Sequence, residues 1–245
     1  MNRKLAAVML VVLAWSSLAF CGEIHDAAKN GDLGRVKALL KENPDLAFSN
    51  DIYGLTPLHL AASNGHKDVA ELLLANKAEV NAKSDYGWTP LHFAAFDDHG
   101  DVAELLLANK ADVNAKVNNG WTPLDMAAGK GYKDVAELLL ANKAEVNAKA
   151  NDGATPLHSA AGKGYKDVAK LLLANKADVN AKANDGMTPL LWAAGGGYKD
   201  VVELLLANNA EVNVKDNDGA TPLQWAASNG HNDVVKLLRQ HGGHE

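Results

Sequence analysis

Along residues 57–75 the apolar positions fall into two short runs at helical spacing, Leu58, Ala61 and Ala62, then Val69, Leu72 and Leu73. Each run marks one face of a short helix, and Asn64-Gly65 between them reads as a helix stop. Thr56 offers an N-cap hydroxyl, and Pro57 takes the first helical position, where a missing N–H costs nothing. Gly54 suits a tight turn ahead of the first helix, and Asp68 is expected to open the second. Two helices this short cannot bury their apolar faces alone, so a neighbour must cover them.

The rest of the chain supplies that neighbour repeatedly. Thr-Pro-Leu-His at Thr56 returns, whole or varied, at Thr89, Thr122, Thr155, Thr188 and Thr221, an interval of 33 residues each time (89 − 56 = 33). Gly54, Gly87, Gly120, Gly153, Gly186 and Gly219 keep the same interval. So do Val80-Asn81, Val113-Asn114, Val146-Asn147, Val179-Asn180 and Val212-Asn213. Independent domains would not be cut to one length, whereas stacked copies of one supersecondary unit would be, so the chain reads as a solenoid.

The pattern G-x-TPLH-x-AA-x-x-GH-x-DVA-x-LLL-x-x-x-A-x-VN at this spacing resembles the ankyrin repeat, over residues 23 to 245. The resemblance implies an all-α solenoid of about seven units including caps. Each unit would be a hairpin-like turn followed by two antiparallel helices, stacked in an L-shaped cross-section with a concave face. Residues 51–83, 84–116, 117–149, 150–182 and 183–215 are the expected internal repeats. Residues 23–50 form an N-terminal cap that lacks the Thr-Pro start but keeps His25-Asp26-Ala27-Ala28, Gly31, Val36 and Leu39-Leu40. Residues 216–245 form a C-terminal cap, in which Arg239 stands where internal repeats have Leu74, Leu107, Leu140, Leu173 and Leu206. An apolar position with no neighbour to cover it has become charged, as a solvent-facing end requires.

Two departures from the family pattern are visible. Lys77, Lys110, Lys143, Lys176 and Asn209 occupy the glycine that usually closes the second helix, at a cost on the order of 1 kcal/mol each in the left-handed region. Asp98 replaces the glycine found at Gly65, Gly131, Gly164, Gly197 and Gly230, with Gly100 two residues later, which is expected to alter that turn.

The first residues differ from all the others. Met1-Asn2-Arg3-Lys4 is basic, Leu5 to Ala14 is apolar, and Ser16-Ser17-Leu18-Ala19 is largely small, the three-part order of a secretory signal peptide over residues 1–21. Cys21, the only cysteine, follows Leu18-Ala19-Phe20 in a manner that resembles a bacterial lipobox, although Phe20 departs from the small residue normal there. Cleavage near residues 19–22 is therefore expected, into a periplasmic or secreted space, with membrane attachment only if Cys21 is lipidated. The formal charge is -6, and removing Arg3 and Lys4 takes it to -8 (22 basic against 30 acidic). That balance, with no basic run, argues against a nucleic-acid partner.

Candidate chemistry concentrates in TPLHFAAFDDHGDV, residues 89–102, where His92, Asp97, Asp98, His99 and Asp101 are metal-ligand and general-base types. His92 shares its repeat position with His59 and His158, but also with Asp125, Leu191 and Gln224, and a position that tolerates leucine is no catalytic requirement. His99 shares its position with His66 and His231 and with Tyr132, Tyr165 and Tyr198, which favours packing over ligation. His241, His244 and Glu245 read as a polar end rather than a metal site. No phosphate loop, metalloprotease motif or nucleophile elbow is present, so no cofactor, metal or small-molecule substrate is expected.

What varies is the hairpin tip and the end of the first helix. Tyr53, Leu55, Tyr86, Trp88, Phe96, Asp97 and Trp121 fall there on three consecutive repeats. Large aromatics without a core to fill are costly in water and frequent at binding hot spots, so these are the expected partner-binding residues. The competing reading has them packing on one another to stiffen the stack. Phe93, Met126, Trp192 and Trp225 occupy the position of Leu60 and are expected in the core between repeats. The sequence thus reads as a non-catalytic protein-interaction module. An inhibitor or immunity-type binder of one enzyme is the alternative, and a metal-dependent enzyme at Asp97, Asp98 and His99 the remote one.

Overall fold

The computed structural model describes residues 22–244, so the leader, Cys21 and Glu245 lie outside the described residues. The chain forms two compact units, one ending at Asp112 and one starting at Val113. The first unit carries α1 (22–29), α2 (Leu33–Glu42), a 3₁₀ turn at Pro44–Phe48, α3 (Pro57–Ser63), α4 (Lys67–Ala75), α5 (Pro90–Phe96) and α6 (Gly100–Ala108). The second carries α7 (Pro123–Lys130), α8 (Lys133–Ala141), α9 (Pro156–Ala161), α10 (Lys166–Ala174), α11 (Pro189–Gly195), α12 (Lys199–Ala207), α13 (Pro222–Ser228) and α14 (Asn232–Gln240). Among the described residues there are no strands, and the fold is all-α.

Within the first unit α3 packs on α4 and on α5, α5 on α6, and α4 on α2 and α6. Within the second, the first helices α7, α9, α11 and α13 stack in series, and the second helices α8, α10, α12 and α14 form a parallel series behind them. One leucine per helix fills the seam: Leu58, Leu73, Leu91 and Leu106 in the first unit, and Leu124, Leu139, Leu157, Leu172 and Leu190 in the second, all essentially inaccessible. Each such burial contributes about 2 kcal/mol.

Hydrogen bonds repeat with the same period. Asp51 donates its N–H to Leu55 O at 2.9 Å and Gly54 its N–H to Asp51 O at 3.1 Å, closing a turn in which Gly54 has φ +72°. The following Val-Asn dipeptide has a defined task. Asn81 donates from Nδ2 to Lys110 O and accepts the Asp112 N–H, fastening one repeat to the next. Asn114, Asn147 and Asn180 do the same in the second unit, toward Glu145, Asp178 and Glu211.

The residues replacing glycine adopt the conformation that glycine would. Lys77, Lys110, Lys143, Lys176 and Asn209 have φ of 65–69°. Asp98 sits at φ 63°, and the His99 N–H reaches Ala94 O at 2.9 Å just as the His66 N–H reaches Ala61 O at 2.9 Å. The expected change of turn is thus absent: the tertiary frame holds the loop, and Asp98 bears the left-handed strain. The second helix of each repeat begins one residue earlier than its aspartate suggests. In α4 His66 is the N-cap and Asp68 lies in the first turn, where its charge meets the helix dipole.

Candidate functional site

The imidazoles of the Thr-Pro-Leu-His motif are inward-facing braces. His59 accepts the Thr56 N–H and hydroxyl at Nδ1 (2.9 and 2.8 Å) and donates from Nε2 to Ala82 O and Trp88 O, both at 3.0 Å. Nε2 faces only carbonyls, which fixes the neutral tautomer with its proton there. Burial lowers the His59 pKa from 6.5 to about 4, because a charged ring would lose its water and its acceptor role at Nδ1. His158 repeats the arrangement with Thr155 and Met187 O, and burial lowers its pKa too. In the same position Asp125 accepts the Thr122 N–H and hydroxyl at Oδ2, and burial raises its pKa to about 6. Gln224 caps Thr221 through Oε1 at 2.9 Å. One task, accepting the N-cap N–H, explains why His, Asp and Gln interchange here.

The acidic cluster of residues 97–101 is dispersed by similar duties. Asp97 is the C-cap of α5 and accepts the Ser63 hydroxyl at 2.8 Å, and His99 Nε2 lies 3.0 Å from Ser63 O. Asp101 accepts the Val102 N–H at the start of α6. Asp98 is exposed. Among the described residues no three His, Cys, Asp or Glu side chains converge as metal ligands.

The first unit gathers most of the expected binding residues. Tyr53 and Tyr86 stand on successive hairpin tips, 54% and 66% exposed, and the Asp85 N–H joins those tips by donating to Tyr53 O at 3.1 Å. Behind them the Trp88 ring lies 4.9 Å from Phe93, 5.4 Å from Phe96 and 6.0 Å from His92, and the three large aromatic rings are half-buried. Leu55 is half-buried, held by its N–H to Asp51 Oδ1 and by the His25 ring at its carbonyl. The aromatics therefore divide into two groups. Trp88, Phe93 and Phe96 pack on one another, while Tyr53 and Tyr86 face outward. Trp121 belongs to the second unit, where it is half-buried above a hairpin closed by its own carbonyl and the Val117 N–H.

One expectation needs correction. Met126 is buried, but Phe93, Trp192 and Trp225 at the equivalent position are only half-buried. The reason lies one repeat back: Trp192 rests on Gly162, where an added Cβ would stand 2.7 Å from its Cε3, and Trp225 lies over Gly195. A ring that rests on glycine stays at the surface instead of filling a core. The second unit thus holds a cleft of about 300 Å³ walled by Met187, Leu191, Trp192 and Trp225, with Gly162, Gly195 and Gly196 beneath. Its sequence signal was the replacement of Phe96-Asp97 by Gly195-Gly196 at the same repeat position.

Comparison with known proteins converges on the same repeat. The family model for ankyrin repeats, in three copies, matches residues 24–117, 115–183 and 178–245. Human ankyrin repeat domain-containing protein 39 is 39% identical over 79 residues, 32% of this chain and 43% of that protein. The E3 ubiquitin-protein ligase XBAT33 of Arabidopsis thaliana is 46% identical over 59 residues, 24% of this chain and 12% of its own length. Human protein phosphatase 1 regulatory subunit 27 is 39% identical over 62 residues, 25% of this chain and 40% of that protein. The chain matches less than half the length of each of these relatives.

Proposed function

The chain belongs to the ankyrin-repeat family, and from that premise we propose that it is a non-catalytic module whose first unit binds a protein partner through its hairpin and first-helix face. The observation that carries this reading is the pair of exposed tyrosines, Tyr53 and Tyr86, on hydrogen-bonded neighbouring hairpins over the half-buried Trp88–Phe93–Phe96 stack. A rigid aromatic base with amphipathic rings above it is what an interface hot spot needs: apolar area with little side-chain entropy to lose. Asp97 supplies a polar rim, and Trp121 offers a half-buried ring on the second unit. The non-catalytic reading rests on the family and on Asp97 and His99 being engaged with Ser63.

The leader order over residues 1–21 supports an exported module, lipid-anchored if Cys21 is acylated. A relative named as a phosphatase regulatory subunit keeps the second reading in view, a binder of a single enzyme. Photo-crosslinking from position 52, exposed beside Tyr53 on the first hairpin, in the native compartment tests the proposal. One dominant captured protein, lost in Tyr53→Ala/Tyr86→Ala while the helical CD spectrum is unchanged, is the expected result. Capture that survives the double substitution overturns the surface, and stoichiometric zinc in the purified protein overturns the non-catalytic reading.

A further inference from the structure

Charge is divided unevenly along the chain. Residues 22–112 carry a formal -7 (8 basic against 15 acidic), whereas residues 113–245 carry -1 (14 basic against 15 acidic). The contrast sharpens on the segments that form the hairpins and first helices. In the first unit, residues 22–30, 50–64 and 83–98 hold Glu23, Asp26, Asp51, Asp85, Asp97 and Asp98 against Lys29 and Lys83. The matching segments of the second unit, 116–131, 149–164, 182–197 and 215–230, hold five acidic residues against six basic ones. Of the first-unit carboxylates, Glu23 is paired with Arg35. The face that carries Tyr53 and Tyr86 is thus the one short of balancing cations.

Part of that charge lines a hollow. It has a volume of about 440 Å³ and is bounded by α1, the first hairpin and α3, with Asp26, Asp51, Ile52 and Leu60 in its walls. Asp26 follows His25 as Leu60 follows His59 and Phe93 follows His92, so a carboxylate stands where the next two repeats have an apolar side chain. Asp51 spends Oδ1 on the Tyr53 and Leu55 N–H groups, both at 2.8 Å. Among the described residues, Asp51 Oδ2 and the Asp26 carboxylate have no hydrogen-bond or ion-pair partner, and no Lys or Arg lines the hollow. His25, also in the lining, has its Nε2 2.9 Å from Leu55 O.

The apolar part of the wall is open too. Ile52 is 85% exposed and Leu60 is half-buried. An apolar wall beside carboxylates with spare acceptors matches a side chain that has an aliphatic stem and a cationic head. A neutral or acidic guest would leave Asp26 and Asp51 unpaired beneath it, at a desolvation cost that nothing offsets. The neighbouring rings share the preference, because Tyr53 and Tyr86 offer electron-rich faces to a cation. Asp97 and exposed Asp98 follow Phe96 at the end of the aromatic stack.

We propose that the segment bound by the first unit is basic: one lysine or arginine enters the hollow, its stem on Ile52 and Leu60 and its charge between Asp26 and Asp51, while further basic residues meet Tyr53, Tyr86 and the carboxylates after Phe96. This rests on the reading of that face as the partner-binding surface and names the chemistry of the partner. A unit at -7 also draws a basic chain, and repels an acidic one, before contact is made.

The test uses the full chain and twelve-residue Gly/Ser peptides carrying four Arg, four Lys, four Gln or four Glu at the same positions, read by fluorescence anisotropy. The Arg and Lys peptides are expected to bind, the Gln and Glu peptides at least about tenfold more weakly, and binding should weaken as salt rises from about 0.05 to 0.3 M. Asp26→Asn/Asp51→Asn keeps the hairpin acceptor while removing both charges, and should cost about tenfold with the CD spectrum unchanged. The charge-matched pair Asp152→Asn/Asp185→Asn, on hairpins of the second unit, should change binding by less than about twofold. Gln peptides binding as tightly as Arg, equal losses in the two aspartate pairs, or no binding at millimolar peptide would each overturn the proposal. So would a dimer in sedimentation that the Arg peptide dissociates, since the face would then serve a second copy of this chain. Crosslinked capture that needs Tyr53 and Tyr86 yet ignores Asp26→Asn/Asp51→Asn overturns this proposal alone, whereas capture that survives Tyr53→Ala/Tyr86→Ala removes the face on which it rests.

Discussion

Replacing His59 by Gln separates the structural duty of the imidazole from its titration. Gln224 performs that duty in the last repeat, accepting the Thr221 N–H at 2.9 Å, so His59→Gln should keep the cap of α3 while losing the ionisable group. His59 is fully buried, and its pKa falls from 6.5 to about 4 in the fold. A group with a lowered folded pKa stabilises the fold above its unfolded value and loses that contribution as pH falls toward the folded value. From pH 7.5 to 5.0 the wild type therefore loses about 1.5 pH units' worth of linkage, roughly 2 kcal/mol, that the variant does not. The measurement is urea unfolding followed by far-UV CD for both proteins at both pH values. Only the change with pH of their stability difference counts, because it cancels every other titrating group. A difference that stays constant within about 0.5 kcal/mol would refute the assignment of His59 as a neutral brace.

Asp125 should behave in the opposite sense. Its folded pKa is raised from 3.8 to about 6, so its contribution is present at low pH and lost as pH rises through 6, and the wild type should gain about 1 kcal/mol on Asp125→Asn between pH 7.5 and 5.0 in the same assay. Lys143→Gly, at φ 69°, should raise the urea midpoint by an amount equivalent to about 0.5–1 kcal/mol, and an unchanged or lower midpoint would show that the lysine stem offsets its backbone strain.

The sequence by itself determined what lies within one turn of chain. The period of 33 is plain in the letters. The Thr caps with Pro behind them, the left-handed positions at Lys77 and its equivalents, and the contact of His59 with Thr56 are set by groups three or four residues apart. Such contacts repeat whenever the letters repeat, whereas the reach of His59 to Ala82 O and Trp88 O depends on the fold. The Val-Asn dipeptide was visible as a pattern, but its clamp on the carbonyl and N–H of the next repeat appears only in three dimensions.

Tertiary structure decided how much of each surface residue is left uncovered. Trp88 and Trp192 are both half-buried, yet Trp88 is packed by Phe93 and Phe96 of its own repeat while Trp192 leans on Gly162 of the repeat before it. Asp98 could be read as a rebuilt turn until the frame around it imposed the glycine conformation at φ 63°. Local propensity fixes where a helix starts, but exposure depends on which side chain a neighbouring repeat presents 33 residues away, and no periodicity encodes that volume.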